Sequence, residues 1–308
     1  MDEIKFFPES LDVQNKKVIL RLDLNVPIKD KIIKDETRLK VCLPFIKELI
    51  QKKAKVIILG HLGRPKGIKD PALSLTPIFK YLKNNIETNI YFYSGNFEHD
   101  FQNKFSYLKE GEIILIENIR YFKEETNDDE IFSKKLASLG DIYINDAFSC
   151  SHRKQSSIHK ITKFVDKNFG GPLLKKEIEA IDMIIKEKKS PVTCIIGGAK
   201  ISTKIKVIIN LIKNVDNIVV VGAMANNFLL NEGFEVGNSI VESETQEIIE
   251  KIYKEGKSFN CKIIIPEDFK VSKTLDGLSE IRDKNSIKSD DIILDIGPKS
   301  VAKIRDII

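Results

Sequence analysis

Several features that mark particular classes of protein are missing from this 308-residue sequence. Its four cysteines (Cys42, Cys150, Cys194 and Cys261) are scattered and form no CxxC pair, which excludes a zinc ribbon or a disulfide framework and is typical of the reducing cytoplasm. Apolar stretches such as Ile218–Val221 are far shorter than the roughly 20 residues of a membrane span. No apolar signal segment follows the first methionine. We therefore expect a cytoplasmic protein that does not contact membranes.

The charges are mixed and nearly balanced. The sequence contains 50 lysines and arginines and 45 acidic residues, which gives a formal net charge of +5. No block of lysine or arginine resembles the basic tails of nucleic-acid-binding proteins, so we expect no nucleic-acid partner. A modest positive balance suits an enzyme of small anionic substrates if the charges converge on one cleft.

Short apolar strands alternate with amphipathic helices along the chain. The stretch KVILRLDL (17–24) is a predicted strand, and Arg38–Lys53 carries leucine and isoleucine at helical spacing. Further strands are predicted over 55–60, 113–117 and 141–146. This alternation predicts parallel βαβ units, and hence an α/β fold with an open, doubly wound parallel sheet.

The length predicts two domains, since a domain averages about 150 residues. The cluster Gly170-Gly171-Pro172 is interpreted as a break between them. An apolar stripe after it predicts a helix long enough to join two lobes, and a second α/β series follows, with strands over 192–196, 218–221, 262–266 and 292–295. We predict a first domain over 1–168, a linker and helix over 169–189, and a second domain over 190–308.

Polar and cationic side chains cluster where the strands of the first half end. They are Asp23, Asn25, Arg38, His61, Arg64, Arg120, His152 and Arg153. Open α/β sheets bind ligands beyond the carboxyl ends of their strands. One arginine alone would more ordinarily form a surface salt bridge, but four at successive strand ends predict a site for phosphate and carboxylate groups.

The histidines show no spacing typical of a metal site. His61 and His152 are therefore interpreted as neutral or charged donors to an anion, and no residue is assigned as a metal ligand. His99 and His159 have no chemically suggestive neighbours, and the sequence gives them no role.

In the second half, VTCIIGGA (192–199) is a strand that runs into a glycine pair. A helix is predicted directly after it, with Lys200 and Lys204 on one face near its start, which favours a phosphate site. Neither a Walker A loop nor GxGxxG occurs. On its own this stretch could equally be a structural helix start. A second small-residue turn, Gly222–Ala225, could form the floor beneath a flat base.

Eight motifs, in family order and at compatible spacing, make the sequence resemble the phosphoglycerate kinase family over almost the entire chain. They are RLDLNVP (Arg21–Pro27), DETR (Asp35–Arg38), GHLGRPKG (Gly60–Gly67), ENIR (Glu117–Arg120), DIYINDAF with the following HR (Asp141–Arg153), GGAKISTK (Gly197–Lys204), NEGFEVGNS (Asn231–Ser239) and LDIGPKS (Leu294–Ser300).

The resemblance implies two Rossmann-like lobes joined by a helix, and reversible phosphoryl transfer between 1,3-bisphosphoglycerate and ADP to give 3-phosphoglycerate and ATP. It implies a monomer that uses Mg²⁺ as Mg-ADP or Mg-ATP. Carried over by position, the substrate-binding residues of the first lobe are Asp23, Leu24, Asn25, Arg38, His61, Leu62, Gly63, Arg64, Arg120 and Arg153.

For the second lobe the resemblance implies a nucleotide site. The nucleotide-binding residues carried over are Gly198, Ala199, Lys204 and Gly222. The catalytic pair is Arg38 and Lys200, which would supply positive charge to the phosphoryl group in the transition state.

The sequence departs from the family pattern at two points. Gln155 stands where the family usually has a further histidine, and the NGP and GGGD motifs of the family's last part are missing. We therefore expect a C-terminally truncated member with an incomplete second lobe and little kinase activity. The alternative is a catalytically silent protein that binds 3-phosphoglycerate. A Rossmann-type dehydrogenase is disfavoured because the dinucleotide fingerprint is absent.

Overall fold

The computed structural model describes residues 4–97, 105–186 and 190–308. The chain divides into two units, Met1–Ala180 and Ile181–Ile308. The division falls inside the helix predicted to join two lobes. The predicted domain boundaries after residues 168 and 189 stay a prediction. Of the histidines considered above, His99 lies outside the described residues.

The first unit is built on a parallel sheet. Its strands are β1 (Lys17–Leu22), β2 (Ile28–Lys29), β3 (Ile32–Ile33), β4 (Lys55–Leu59), β5 (Ile90–Tyr93), β6 (Ile113–Ile116), β7 (Ile142–Asp146) and β8 (Lys167–Gly170). Among the described residues, six of them pair in the order β5-β6-β4-β1-β7-β8, while β2 and β3 form a small antiparallel hairpin. The four predicted strands are the central four of this sheet, and the two edge strands were not predicted.

Helices cover both faces of this sheet. They are α1 (Thr37–Gln51), α2 (Thr76–Asn85), α3 (Lys123–Thr126), α4 (Glu130–Ala137) and α5 (Pro172–Lys186). Alternate residues of β1 enter two separate cores: Val18 and Leu20 share one with residues of α1 and α2, whereas Ile19 shares the other with residues of α4. Such two-sided burial is what a doubly wound parallel sheet requires, and it confirms the predicted α/β class.

The cluster Gly170-Gly171-Pro172, which the sequence analysis interprets as a break, lies inside the first unit. The segment before it forms β8, which pairs in parallel with β7. A Cβ atom on Gly170 would lie 3.0 Å from side-chain atoms of both Phe6 and Leu174. The glycine therefore serves close packing of strand against helix and chain terminus, which a sequence pattern does not distinguish from a break.

The second unit contains two small sheets among its described residues. Its strands are β9 (Thr193–Gly197), β10 (Asn217–Val221), β11 (Lys262–Ile264), β12 (Asp268–Ser272), β13 (Glu280–Asp283) and β14 (Ile292–Ile296). The order β11-β10-β9 is parallel and the order β13-β12-β14 is antiparallel. The predicted strand over 292–295 thus belongs to an antiparallel sheet that the sequence analysis did not anticipate.

Four helices of the second unit pack around these sheets. They are α6 (Ile205–Ile212), α7 (Ala223–Asn231), α8 (Gln246–Ser258) and α9 (Pro298–Ile307). Ile208, Phe228 and Ile252, one from each of α6, α7 and α8, share a buried core with β10. Among all described helices, none combines the length and the apolar character needed to cross a bilayer.

Candidate active site

The polar residues that follow the strands of the first unit meet at one edge of its sheet. Arg21, near the end of β1, lies in register with Leu59 of β4 and Asn145 of β7. The three strands therefore end side by side, and the loops that follow them start at the same edge. Loop residues from β1, β4, β6 and β7 are consequently neighbours in space although they are distant in sequence.

A strongly basic pocket lies at this edge. Its volume is about 470 Å³ and no carboxylate lines it. The lining residues are Arg64, Lys66, Arg120, Lys123, Thr126, Asn127, Arg153 and Gln155. Three of the four arginines that the sequence analysis singled out thus share one pocket. Guanidinium groups bind phosphate and carboxylate through paired hydrogen bonds, so the pocket suits an anion with several oxygens.

Arg38 lies in a second pocket of about 410 Å³, together with Asp23. Its Nη1 donates to Asp23 Oδ2 at 2.9 Å and to the carbonyl oxygen of Asn25 at 3.1 Å. Asp23 Oδ2 also accepts from Ser149 Oγ at 2.6 Å. Asp23 therefore orients the Arg38 side chain. Because this side chain is still 51% exposed, it also remains accessible to a ligand.

The loop after β4 is held from two sides. Asn25 Oδ1 accepts from the backbone nitrogen of Gly63 at 2.9 Å, and Arg120 Nη1 donates to the Gly63 carbonyl at 2.9 Å. The predicted site residues Leu24 and Leu62 are buried in the first core, with 1% and 4% exposure. Their side chains therefore pack in the core and are not placed to contact a ligand.

His61 is buried beneath these arginines. Burial, and after it the charges of Arg21, Arg120, Arg153 and Arg38, lower its pKa to about 2. The ring is therefore neutral at physiological pH. The sequence alone leaves the charge of His61 open, whereas in the structure desolvation and four neighbouring cations keep the ring neutral.

Arg21 is a residue of this edge to which sequence reasoning gave no role. Its side chain is fully buried, and its Nε donates to Ser157 Oγ at 3.1 Å. Glu125, also fully buried, accepts from the same Ser157 hydroxyl at 2.7 Å. A signal was present in the sequence: all five arginines of residues 1–180 lie at this edge, including the one inside an apolar strand.

Gln155 takes the position of the histidine that the resemblance leads one to expect. It is buried, and its Oε1 lies 3.4 Å from Arg120 Nη2. Arg120 Nε is buried without a hydrogen-bond partner among the described residues. The glutamine oxygen therefore helps to orient Arg120, while His152 and Arg153 nearby are exposed.

In the second unit, two glycines meet at the carboxyl edge of the parallel sheet. Gly197 pairs with Val221 in register, so Gly198 and Gly222 follow side by side. Their φ angles of +138° and +66° are accessible chiefly to glycine. A Cβ atom on Gly198 would lie 3.0 Å from Cε of Lys204, which places that lysine chain over the glycine.

The lysines next to these glycines are not arranged as predicted. Helix α6 begins at Ile205, so Lys200 and Lys204 do not share a helix face. Ile201 is fully buried, and the backbone nitrogen of Ser202 donates to Glu242 Oε2 at 3.1 Å. These contacts hold the chain in turns before the helix, so Lys204 precedes its first residue.

The segment after Gly222 also differs from the prediction of a small-residue turn. It is the first turn of α7, in which Met224 and Ala225 are buried in the core of the second unit. The Met224 nitrogen donates to the Gly198 carbonyl at 2.8 Å. These side chains thus do not form the floor of a base-binding site, and the exposed element here is the glycine backbone.

One group of possible metal ligands occurs in the described part of the chain. Asp23, His61 and Cys150 offer ligand atoms within 4.8 Å of one another. Mg²⁺ prefers several oxygen ligands, and this group supplies a single carboxylate beside cationic side chains. It therefore does not fit magnesium. The described residues around Gly198 and Gly222 fit phosphate groups, through lysine and backbone, and contain no comparable ligand group.

The chain is similar to known proteins over nearly its whole length. A family model described as phosphoglycerate kinase matches residues 9–308. A phosphoglycerate kinase of Wolbachia pipientis wMel is 43% identical over 301 residues, which cover 97% of this chain and 75% of the relative. The phosphoglycerate kinase of Dictyoglomus turgidum is 40% identical over 297 residues, or 96% of this chain and 74% of the relative.

Solved structures give the same result. A phosphoglycerate kinase from Coxiella burnetii superposes with a TM-score of 0.80 at 32% identity, covering 96% of this chain and 75% of that one. The enzyme from Pyrococcus horikoshii OT3 superposes with a TM-score of 0.83 at 29% identity, covering 98% and 78%. With the arginine-rich edge, the paired glycines and these matches taken together, this chain belongs to the phosphoglycerate kinase family.

Proposed function

We propose that this chain catalyses reversible phosphoryl transfer between 1,3-bisphosphoglycerate and ADP, giving 3-phosphoglycerate and ATP, with each unit binding one of the two substrates. The observation that carries the assignment of the first unit is its pocket lined by five cationic side chains and no carboxylate. A three-carbon acid phosphate presents one carboxylate and one phosphate, which together match such a lining. The reaction is a step of glycolysis and gluconeogenesis.

The acid phosphate would be held in the first unit by Arg64, Arg120 and Arg153. Neutral His61 would add a hydrogen-bond donor at the same edge. Asp23 and Asn25 would act mainly on protein groups, because the first orients Arg38 and the second holds the loop at Gly63. Leu24, Leu62 and Gly63 would shape the loops around the substrate, because the Gly63 nitrogen and carbonyl are already bonded to Asn25 and Arg120.

Arg38 is the proposed catalytic residue of the first unit. Phosphoryl transfer demands in-line positioning and neutralisation of charge on the moving group more than covalent chemistry. Arg38 suits this task because Asp23 fixes its orientation while half of the side chain stays exposed. An arginine held in place before the reaction needs little reorganisation in the transition state.

The nucleotide would bind at the glycine edge of the second unit. Gly198, Ala199 and Gly222 would offer backbone close to the nucleotide, and Lys204, which lies over Gly198, would bind its phosphates. Lys200 would contact the transferring phosphoryl group. Mg²⁺ bound with ADP or ATP neutralises phosphate charge, and this chain's own contribution is the lysine pair and the glycine backbone.

A catalytically silent protein that binds 3-phosphoglycerate is not favoured, because enzymes named phosphoglycerate kinase match the second unit as well as the first. We further propose that the protein is a cytoplasmic monomer whose partners are its small-molecule substrates, without nucleic acid. The mixed charge, without a basic block, supports the absence of a nucleic-acid partner.

Calorimetry of the full chain with 3-phosphoglycerate tests the first-unit assignment. Arg64→Ala should weaken binding about tenfold or more, as expected for a lost charge-assisted hydrogen bond. Arg305→Ala, which removes an exposed arginine of α9, is the matched control and should bind like the wild type. A coupled ATP assay completes the test: turnover supports the kinase and contradicts the expectation of little activity that the missing NGP and GGGD motifs raised, whereas binding without turnover supports the silent alternative.

A further inference from the structure

Arg21 is too deeply buried to touch a substrate, yet its guanidinium is directed at His61. The side chain is fully buried, and Nη2 lies 3.0 Å from His61 Nδ1. Arginine has only donors. The Nδ1 atom must therefore accept this hydrogen bond, and in a neutral ring the proton then resides on Nε2.

The guanidinium is itself held by a buried chain of hydrogen bonds. Its Nη1 donates to the carbonyl of Leu22, and its Nε donates to Ser157 Oγ at 3.1 Å. The Ser157 hydroxyl donates to Glu125 Oε1 at 2.7 Å, and the Ser157 nitrogen donates to Glu125 Oε2 at 2.9 Å. Ser157 thus accepts from the buried cation and donates to the buried anion.

Burying these two charges costs folding free energy, so a contribution to stability does not explain why they are there. Arg21 and Glu125 are both fully buried, and the desolvation of two charges is only partly offset by their attraction. Burial raises the pKa of Glu125, which the charge of Arg21 opposes. Two apolar side chains would fill the same space with a smaller desolvation penalty, but they would leave only the weakly donating Cys150 thiol, 3.8 Å away, beside His61 Nδ1.

We propose that Arg21 is a positioning residue for His61: held by Ser157 and Glu125, it keeps the proton of the ring on Nε2, so that this nitrogen donates to the bound acid phosphate. The inference rests on the proposed function, in which His61 contacts that substrate. It adds Arg21, Ser157 and Glu125 to the site as residues that act through His61 and do not touch the ligand.

Nitrogen-15 NMR of the histidine rings in the full chain tests the tautomer directly near neutral pH. The chain has four histidines, so few signals need assignment, and a His61→Gln variant identifies the signal of interest. We expect an unprotonated Nδ1 and a protonated Nε2 at His61. A proton on Nδ1 in the wild-type protein would overturn the proposal, whatever the variants do.

Arg21→Met keeps an unbranched apolar stem, although a shorter one, and removes the hydrogen-bond donors. In this variant the His61 signals should shift toward a mixture of tautomers, and 3-phosphoglycerate should bind about tenfold more weakly. Arg21→Lys should restore binding only in part, because one ammonium group does not reproduce the guanidinium fork toward Ser157 and His61. Unchanged tautomer signals in Arg21→Met would refute the proposed role.

Controls separate positioning from general loosening. Tyr143→Phe removes the hydroxyl that donates to the Ser157 carbonyl at 2.6 Å and should leave the His61 tautomer unchanged. His159, whose Nδ1 lies 2.6 Å from Asp128 Oδ2, is an internal reference in every spectrum. If Tyr143→Phe changes the His61 signals as much as Arg21→Met does, the tautomer depends on packing in general and the proposal fails.

A second variant covers the case in which Arg21→Met does not fold. Ser157→Ala removes the hydroxyl between the two buried charges and should shift the tautomer in the same direction. The proposed function is tested separately by His61→Gln: if that variant binds 3-phosphoglycerate like the wild type, His61 does not contact the substrate. In that case the proposed contact between His61 and the substrate is wrong, even if the ring carries its proton on Nε2 as expected.

Discussion

The two parallel sheets of this protein bury their strands very differently. Four of the five residues of β4 in the first unit are buried, whereas none of the five residues of β9 in the second unit is. The third residue of each strand is isoleucine: Ile57 is fully buried and Ile195 is 49% exposed. The first sheet is therefore enclosed on both faces, and at β9 the second is not.

The two proposed ligand edges also differ in what they present. The first unit presents charged side chains, and neighbouring groups orient two of them: Gly63 and Gln155 orient Arg120, and Asp23 orients Arg38. The second presents the backbone of Gly198 and Gly222 with a lysine folded over it. Recognition by guanidinium forks depends on exact side-chain placement and therefore on a rigid interior, whereas recognition by backbone groups depends mainly on local φ angles.

The largest expected effect comes from exchanging the matched isoleucines for alanine. Ile57→Ala should lower the free energy of unfolding by about 2–5 kcal/mol, because it opens a cavity in an enclosed core. Ile195→Ala should cost about 1 kcal/mol or less, because half of the side chain is already in water. Urea titrations of both variants measure this, and equal losses would mean that the two sheets are equally well enclosed.

Arg38→Ala tests whether orientation by Asp23 serves catalysis. The rate of phosphoryl transfer in a coupled assay should fall by about 10²-fold or more, since a charge placed for the transition state is lost. Arg38→Lys should recover only part of the rate, because the bidentate fork is missing. Arg305→Ala again serves as the matched control, and wild-type turnover in Arg38→Ala would disprove the assigned role.

The lysines of the second unit should show smaller and separable effects. Lys204→Ala should raise the Michaelis constant for the nucleotide by about tenfold, since it would bind the phosphates in ground state and transition state alike. Lys200→Ala should mainly lower turnover, because its proposed partner is the transferring group. Steady-state kinetics against ADP measure both, and the opposite pattern would exchange the two roles.

The smallest effect concerns Asp146, the last residue of β7. Burial raises its pKa from 3.8 to about 6, although its Oδ1 accepts from the Leu174 nitrogen at 2.9 Å. The folded protein thus binds this proton more tightly than the unfolded chain does, so stability falls as the pH rises through about 6. Between pH 7 and pH 5 the wild type should gain about 1 kcal/mol relative to Asp146→Asn. Urea titrations at both pH values measure this. If the wild type instead loses stability relative to Asp146→Asn on going from pH 7 to pH 5, the carboxylate is stabilised by its helix contact.

Strand periodicity was a good guide to the first unit, as the prediction of its four central strands shows. The edge strands β5 and β8 were not predicted because, unlike the equally short β6, they are not uniformly apolar and are only partly buried, and in β8 the final glycine has the appearance of a turn. In the second unit the start of α6 was wrong by several residues. Burial of Ile201 and the contact of Ser202 with Glu242, 40 residues away, decide where that helix begins.

The sequence by itself determined which loops lie at the carboxyl edge of the first sheet, because the order of strands and loops in a parallel sheet assigns each strand end to one side. It also determined the family, through motifs that need no coordinates. Only the tertiary structure decided that His61 is neutral, that Arg38 lies apart from the pocket of Arg64, and that Arg21 pairs with a serine 136 residues away. Charge state and hydrogen-bond partners depend on burial and on groups distant in the chain, and no local pattern of residues encodes them.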